Sequence, residues 1–150
     1  MKAPGCPLCE EAGGTVVFQG DCFRVVRAAE PGLPAFYRLI WTAHFREFSD
    51  LAADDRHFCI DAVACIEEAL RQHLDPVKVN LATLGNAVPH LHWHVVARFE
   101  WDSHFPGAPW AVAQRKVAPE AQARIEGLLP SLEADIAARL AVLTGNRTAT

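Results

Sequence analysis

Within Leu84-Gly85-Asn86-Ala87-Val88-Pro89-His90-Leu91-His92-Trp93-His94-Val95-Val96-Ala97, three histidines alternate with Leu91, Trp93 and Val95. Imidazoles at that density can do one of three things. A neutral ring can attack an electrophile such as phosphorus and carry the group covalently until water releases it. His-x-His pairs on a strand also suit zinc, iron or copper. The remaining option is a half-exposed strand in which histidine is incidental. A lone histidine fits that last option, whereas three in strict alternation beside Gly-Asn fit a functional site. The ordinary histidine pKa of about 6.5 leaves much of the ring neutral near pH 7. Crowding three rings on one face further opposes charging them together.

That reading requires a strand. Successive strand side chains point to opposite faces, so the spacing puts the imidazoles on one face and the large apolar groups on the other. On a helix, at about 100° per residue, the same spacing would scatter the rings. The β-branched and aromatic content of the run agrees with a strand, and Gly85 and Asn86 suggest a turn just before it.

The run Gly-Asn-x-Val-Pro-His-Leu-His-Trp-His-Val-Val resembles the signature of the histidine triad (HIT) family, His-φ-His-φ-His-φ-φ with φ apolar, usually preceded by Gly-Gln-x-Val. The order of elements supports the resemblance over about residues 6–110. It implies a nucleotidyl hydrolase or transferase acting at the α-phosphate of a dinucleoside polyphosphate or nucleoside phosphoramidate. The reaction would pass through a covalent nucleotidyl-histidine intermediate and need no cofactor for its chemistry. On that resemblance His92, the central ring, is the nucleophile. A backbone carbonyl on its Nδ1–H would leave Nε2 free to attack. His94 would donate to a non-bridging or leaving-group oxygen, and His90 would support the row or be spent on zinc. Gly85, Asn86 and Ala87 line the substrate side, with Asn80 near the phosphates. Asn86 stands where the family usually has glutamine, and Ala87 where Ser or Thr is frequent. Both differences bear on leaving-group activation more than on attack.

Cys6-Pro7-Leu8-Cys9 is a C-x₂-C pair, which can close on a metal, act as a redox couple, or do neither. A redox role wants a strand before it and a helix after it, and no second C-x₂-C follows. Several HIT-family members open with such a pair and complete a Cys₂His₂ zinc site with two later histidines. Carried over, the ligands are Cys6, Cys9, His44 and His90, and the zinc would be structural.

The remaining residues bound the class. One hundred and fifty residues, 51% hydrophobic and 21% charged, suit one ordinary domain. No apolar run approaches the ~18 residues that span a bilayer, and the N-terminus lacks a signal-peptide core. Five cysteines without an export signal favour reduced thiols in the cytoplasm. A net charge of −4 argues against a protein that coats nucleic acid. An anionic small molecule would have to be held locally, by backbone N–H groups and imidazoles.

Taken in order, Thr15–Phe18, Phe23–Val26 and Phe36–Trp41 read as strands. Ser49 and Asp50 can cap a helix whose stripe is Cys59, Val63, Ile66, Leu70 and Leu74, ending before Asp75-Pro76. Residues Val77–Thr83 form a fourth strand, joined to the histidine strand through Gly85. Pro119 to about Leu143 is helical along Ile125, Leu129, Leu132, Ile136 and Leu140, with Pro130 expected to kink or split it. The fold expected is α+β and HIT-like: an antiparallel sheet of about five strands with one central and one C-terminal helix on one side. Residues 1–143 form the single domain, and 144–150 a disordered tail.

The family often has a histidine where this chain has Phe36, and an acidic residue for the ribose hydroxyls where Glu30 is the nearest substitute. The loop 100–110, dense in aromatics and proline, can form a wall for a nucleobase or cover one end of the core, the reading preferred for Trp101 and Trp110. His104 can reach a substrate from it, but reads as an ordinary loop histidine. The expected sheet leaves an exposed edge, and the resemblance alone implies a homodimer. Two rivals stand beside the enzyme. One is a non-catalytic nucleotide-binding module. The other is a cupin-type metalloenzyme built on Gly85, His92, His94, Glu100 and Gly107, which would be nearly all-β.

Overall fold

Strand-forming residues in this chain recur with period two, and each run has one face that must be buried. A computed structural model of the chain describes residues 1–148. It contains β1 (Thr15–Gln19), β2 (Phe23–Arg27), β3 (Phe36–Trp41), β4 (Lys78–Ala82) and β5 (His92–Arg98). These form one antiparallel sheet in the order β1-β2-β3-β5-β4. The expected α+β architecture is therefore the observed one. The histidine strand β5 lies inside the sheet, between β3 and β4, where both edges are hydrogen-bonded and its register is pinned. Ile40 stands opposite His92, and Arg38 opposite His94.

One face of the sheet carries Phe23, Val25, Tyr37, Leu39, Trp41, Val95 and Ala97, packed in a single apolar cluster with the two long helices. Helix α1 is the short Pro7–Glu10 turn; α2 spans Ala53–Leu74 and α3 Pro119–Thr148. The α2 stripe Cys59, Val63, Ile66, Leu70 and Leu74 is buried, as are Ile125, Leu129, Leu132, Ile136 and Leu140 of α3. Apolar residues three and four apart form one stripe on a helix, and the sheet face is where each stripe is buried. The opposite face carries His92, His94, Arg38 and Ile40 and is flanked by α1. With its apolar side occupied by helices, the sheet can offer only its histidine face to a ligand.

Several boundaries differ from expectation, each for a local reason. Ser49 and Asp50 belong to a single 3₁₀ turn, Phe48–Asp50, in which Glu47 and Asp50 cap one another reciprocally; α2 begins only at Ala53. Asp75 closes α2 in the left-handed conformation, φ 47°, with its N–H on the Arg71 carbonyl, and Pro76 prevents continuation. Pro130 does not split α3, which runs unbroken through it. Its ring lies on the exposed side of the helix, where the carbonyl it deprives of a partner can turn to water. The same helix continues to Thr148, through most of the stretch expected to be a disordered tail; Ala149 and Thr150 lie outside the described residues. Gly85 does not make a tight hairpin either. Residues 83–91 form a longer loop between β4 and β5, in which Gly85 takes a left-handed φ of 88°. Two long helices exclude the nearly all-β cupin alternative. Among the described residues, no helix is long and apolar enough to cross a membrane.

Candidate active site and metal centre

His92 opens β5 and His94 follows two residues later, so both side chains emerge on the helix-free face. Their ring centroids are 4.8 Å apart. The Nδ1–H of His92 donates to the His90 carbonyl at 2.6 Å, which fixes the ring and leaves Nε2 unprotonated. Thr83 Oγ donates to the His92 carbonyl at 2.7 Å, tying the loop before β5 to the strand at the same residue. The two rings, Arg38, Leu8, Trp110 and the loop 84–88 enclose a pocket of about 580 Å³. Gly85, Asn86 and Ala87 therefore line the pocket.

The electrostatics keep this pair of imidazoles neutral. Burial pushes the His92 pKa below the ordinary histidine value, and the Arg38 cation adds to the effect against the opposing hydrogen bond to His90. Burial, the neighbouring His92 and Arg38 bring His94 down to about 4. His94 is 5% exposed. Its folded pKa lies below the unfolded value, so protons favour the unfolded chain between those two pH values. Stability carried by neutral His94 is present above about pH 6.5 and is lost as pH falls toward 4, a few kcal/mol at most. The expected result is a steeper acid-side loss of stability in the wild-type protein than in His94→Asn, read from urea melts across that range.

His90 does not join the pocket. It is fully buried, and both of its ring nitrogens are committed elsewhere. Nε2–H donates to the Trp41 carbonyl at 2.6 Å. Nδ1 faces the Cys6 and Cys9 sulfurs, each at 3.4 Å. His44 Nδ1 lies 3.5 Å from Cys9 Sγ, and its ring meets His90 edge-on at 5.0 Å. The four donor atoms of Cys6, Cys9, His44 and His90 all fall within 4.8 Å of one another. In a tetrahedral zinc site, bond lengths of about 2.3 Å to sulfur and 2.0–2.1 Å to nitrogen put S and N roughly 3.5 Å apart. The observed spacings fit a metal held by two thiolates and two imidazoles. The Trp41 carbonyl supplies the outer hydrogen bond that orients a ligating histidine, and burial, which lowers the His90 pKa, keeps its nitrogen free to ligate.

Arg24 was not singled out in the sequence. Projecting from β2, it donates to the carbonyls of Leu8, Glu11 and Ala12 at 2.8–2.9 Å and so clamps the cysteine-bearing turn to the sheet. Asn80 lies outside the histidine pocket. Its Oδ1 accepts from Arg98 at 2.6 Å, and it lines a neighbouring groove bordered by the proline-rich loop. Arg98 in turn makes a buried two-pronged pair with Asp102, at 2.8 and 3.1 Å, and donates to the Gly107 carbonyl. Asp102 also accepts from the N–H groups of Phe99, His104 and Phe105. Burial alone would raise its pKa; the Arg98 bonds and these backbone donors outweigh it and hold the carboxyl below its ordinary range. Removing one partner of such a pair strands a buried charge, so Asp102→Ala should cost roughly 3–5 kcal/mol. The chemical-denaturation midpoint should fall accordingly, with no change expected for the exposed Glu120→Ala.

That network matters to the pocket because it holds the loop that ends in Trp110. Trp101 stacks on Phe99 and packs on the core, as expected. Trp110 does not: it is half exposed, meets His94 edge-on at 5.2 Å and forms a pocket wall. Phe36 closes the other side of His94 at 5.4 Å, also edge-on. His104 bonds Ser103 Oγ and does not line the pocket. Glu30 is occupied by Arg38 at 3.0 Å, so the suggested ribose ligand is already engaged in an ion pair.

Comparison with known proteins agrees with this geometry. The family model described as HIT domain matches residues 10–101. Among solved structures, a histidine triad protein from Bradyrhizobium japonicum superposes with a TM-score of 0.69 at 21% identity, over 83% of this chain and 92% of its own. One from Marinobacter aquaeolei VT8 gives 0.66 at 23% identity, over 84% and 93%. A zinc-bound histidine triad family protein from Mycobacterium smegmatis gives 0.56 at 19% identity, over 87% and 96%. At these identities the likeness concerns the fold. No curated protein matches the chain.

Proposed function

The chain belongs to the histidine triad (HIT) family, and from that premise we propose that it is a nucleotidyl hydrolase or transferase acting at an α-phosphate through His92. The observation that carries this reading is the 2.6 Å bond from His92 Nδ1–H to the His90 carbonyl, which turns an unprotonated Nε2 toward a pocket of nucleotide size. In the first step Nε2 bonds to phosphorus and the bond from phosphorus to the leaving group breaks. In the second, water attacks phosphorus, the P–N bond breaks and the neutral ring returns. His94, brought down to about 4, stays neutral at pH 7. It can offer one ring N–H as a hydrogen bond but no spare proton. That suits a leaving group departing as an oxyanion, as from a phosphoanhydride, better than an amine that must be protonated. Gly85 and Asn86 at the rim would bind phosphate oxygens as charge develops there.

Zinc is the metal proposed for Cys6, Cys9, His44 and His90, in keeping with the zinc-bound relative from Mycobacterium smegmatis. Bound there, it supplies structural cross-linking only, and His90 is a ligand rather than a member of the reacting pair. A homodimer and a cytoplasmic setting complete the reading. The test is a panel of dinucleoside polyphosphates and nucleoside phosphoramidates analysed by liquid chromatography. Release of nucleoside monophosphate, faster from the anhydrides, is expected. Tight binding across the panel with no product would instead identify a non-catalytic nucleotide-binding module.

A further inference from the structure

Among the described residues, Arg38 is the one Lys, Arg, Asp or Glu side chain that lines the pocket. Nothing in the histidine signature calls for it. Arg38 sits on β3 directly opposite His94, so both side chains emerge on the same face of the sheet. Its guanidinium carbon lies over the Phe36 ring, 5.5 Å from the centroid. Glu30 takes one terminal nitrogen at 3.0 Å, and the other reaches the Gly13 carbonyl only at 3.5 Å. The Nε is buried and has no acceptor among the described residues.

A guanidinium N–H without a partner on a residue that lines the pocket marks a place where an acceptor is missing. Buried polar groups are nearly always satisfied, and exceptions gather where a ligand completes the set. A guanidinium has five donors in a planar fork matched to phosphate, and Glu30 engages only part of it. The carboxylate lies on the more exposed side of the pair, at 38% against 25% for Arg38, where solvent screens it most. The chain as a whole carries −4, so its general field repels anions. Attraction of a phosphate must come from inside the pocket.

We propose that Arg38 binds the ionised phosphate of the substrate and makes this pocket select a phosphorylated nucleoside over the uncharged nucleoside. Arg38 is thus a binding residue, anchored by Glu30 and backed by Phe36, beside the pair His92 and His94. The inference rests on reading the pocket as a nucleotide site, but it concerns affinity and not bond breaking.

The experiment is isothermal titration of the full-length, metal-loaded protein with four nucleosides and their monophosphates, alongside Arg38→Met and Arg38→Lys. In the wild-type protein at least one monophosphate should bind tenfold or more tightly than its nucleoside. Arg38→Met should abolish that preference while leaving the nucleoside affinity within twofold, and Arg38→Lys should restore part of it by charge alone. A preference that survives in Arg38→Met overturns the proposal, and so does an equal loss for nucleoside and monophosphate, the mark of a merely structural residue. A wild-type protein with no preference for any monophosphate overturns it too. Separately, the hydrolase reading fails if no nucleotidyl group is ever found on His92, whatever the binding ratios are.

Discussion

Replacing His92 with alanine should lower turnover by at least about 10³-fold, which corresponds to roughly 4 kcal/mol of transition-state stabilisation. The reason is positional. Only His92 combines a ring fixed through Nδ1 with an opposite nitrogen turned into the pocket. His94 has no hydrogen bond to set its tautomer and is flanked edge-on by Phe36 and Trp110. It therefore cannot replace His92 as nucleophile. His92→Ala should still bind nucleoside monophosphate, because Arg38, His94 and the loop remain. The measurement is kcat and monophosphate affinity on the same preparation. Turnover unchanged in His92→Ala would remove the nucleophile assignment, and His90→Ala would not mimic the kinetic effect at constant fold, since His90 does not line the pocket.

Loss of the metal should have the largest effect on stability. Cys6 and Cys9 lie near the N-terminus, His44 just after β3 and His90 just before β5, so one ion bound there would close loops between positions 6, 44 and 90. Without it two sulfurs and two imidazoles are left crowded in a nearly closed site. Structural zinc contributes its binding free energy directly to folding. Even a small part of that, about 4 kcal/mol, would lower the melting temperature by roughly 10 °C in a domain of this size. Treatment with a strong chelator should release about one zinc per chain, measured by elemental analysis, and produce that shift. Cys9→Ser should behave like the stripped protein. An unshifted melt after complete removal of metal would assign the four residues a different role. Turnover by any folded, stripped fraction should persist, because no step passes through the ion.

What the chain discloses before folding, and what it conceals, follows from the range over which each signal acts. The alternation at 92–95 and the helical stripes at 59–74 and 125–140 are local periodicities, and each appears in the structure on the face it predicts. The fourfold cluster of Cys6, Cys9, His44 and His90 was reached through family resemblance. Nothing local links positions 6 and 90 until β5 inserts beside β3. His90 shows the limit of the pattern: three rings share a parity, but the strand begins at His92 and the cysteine turn captures the first ring.

Arg38, Trp110 and Asn80 owe their surroundings to contacts that only the folded chain creates. Arg38 reads as an ordinary polar position in a half-buried strand; only cross-strand register puts it opposite His94. Trp110 reads as core until the Arg98–Asp102 pair fixes the loop that swings it over the pocket. That pair was visible as residues four apart, yet salt partners at that distance usually signal a helix surface, not a buried loop anchor. Asn80 points where expected on β4, but Arg98 reaches it first. In α3, Pro130 misled because its cost depends on exposure, which the sequence does not state.

The proposed reaction passes through a covalent bond at one nitrogen, and that bond can be looked for directly. The full-length protein would be mixed with an α-³²P-labelled nucleoside polyphosphate, quenched within milliseconds and kept alkaline, because phosphoramidates are acid-labile. Peptide mapping should then find the nucleotidyl label on His92 and on no other residue, with none in His92→Ala. Label absent from His92 during demonstrable turnover, or present on His94 or His90 instead, would contradict it.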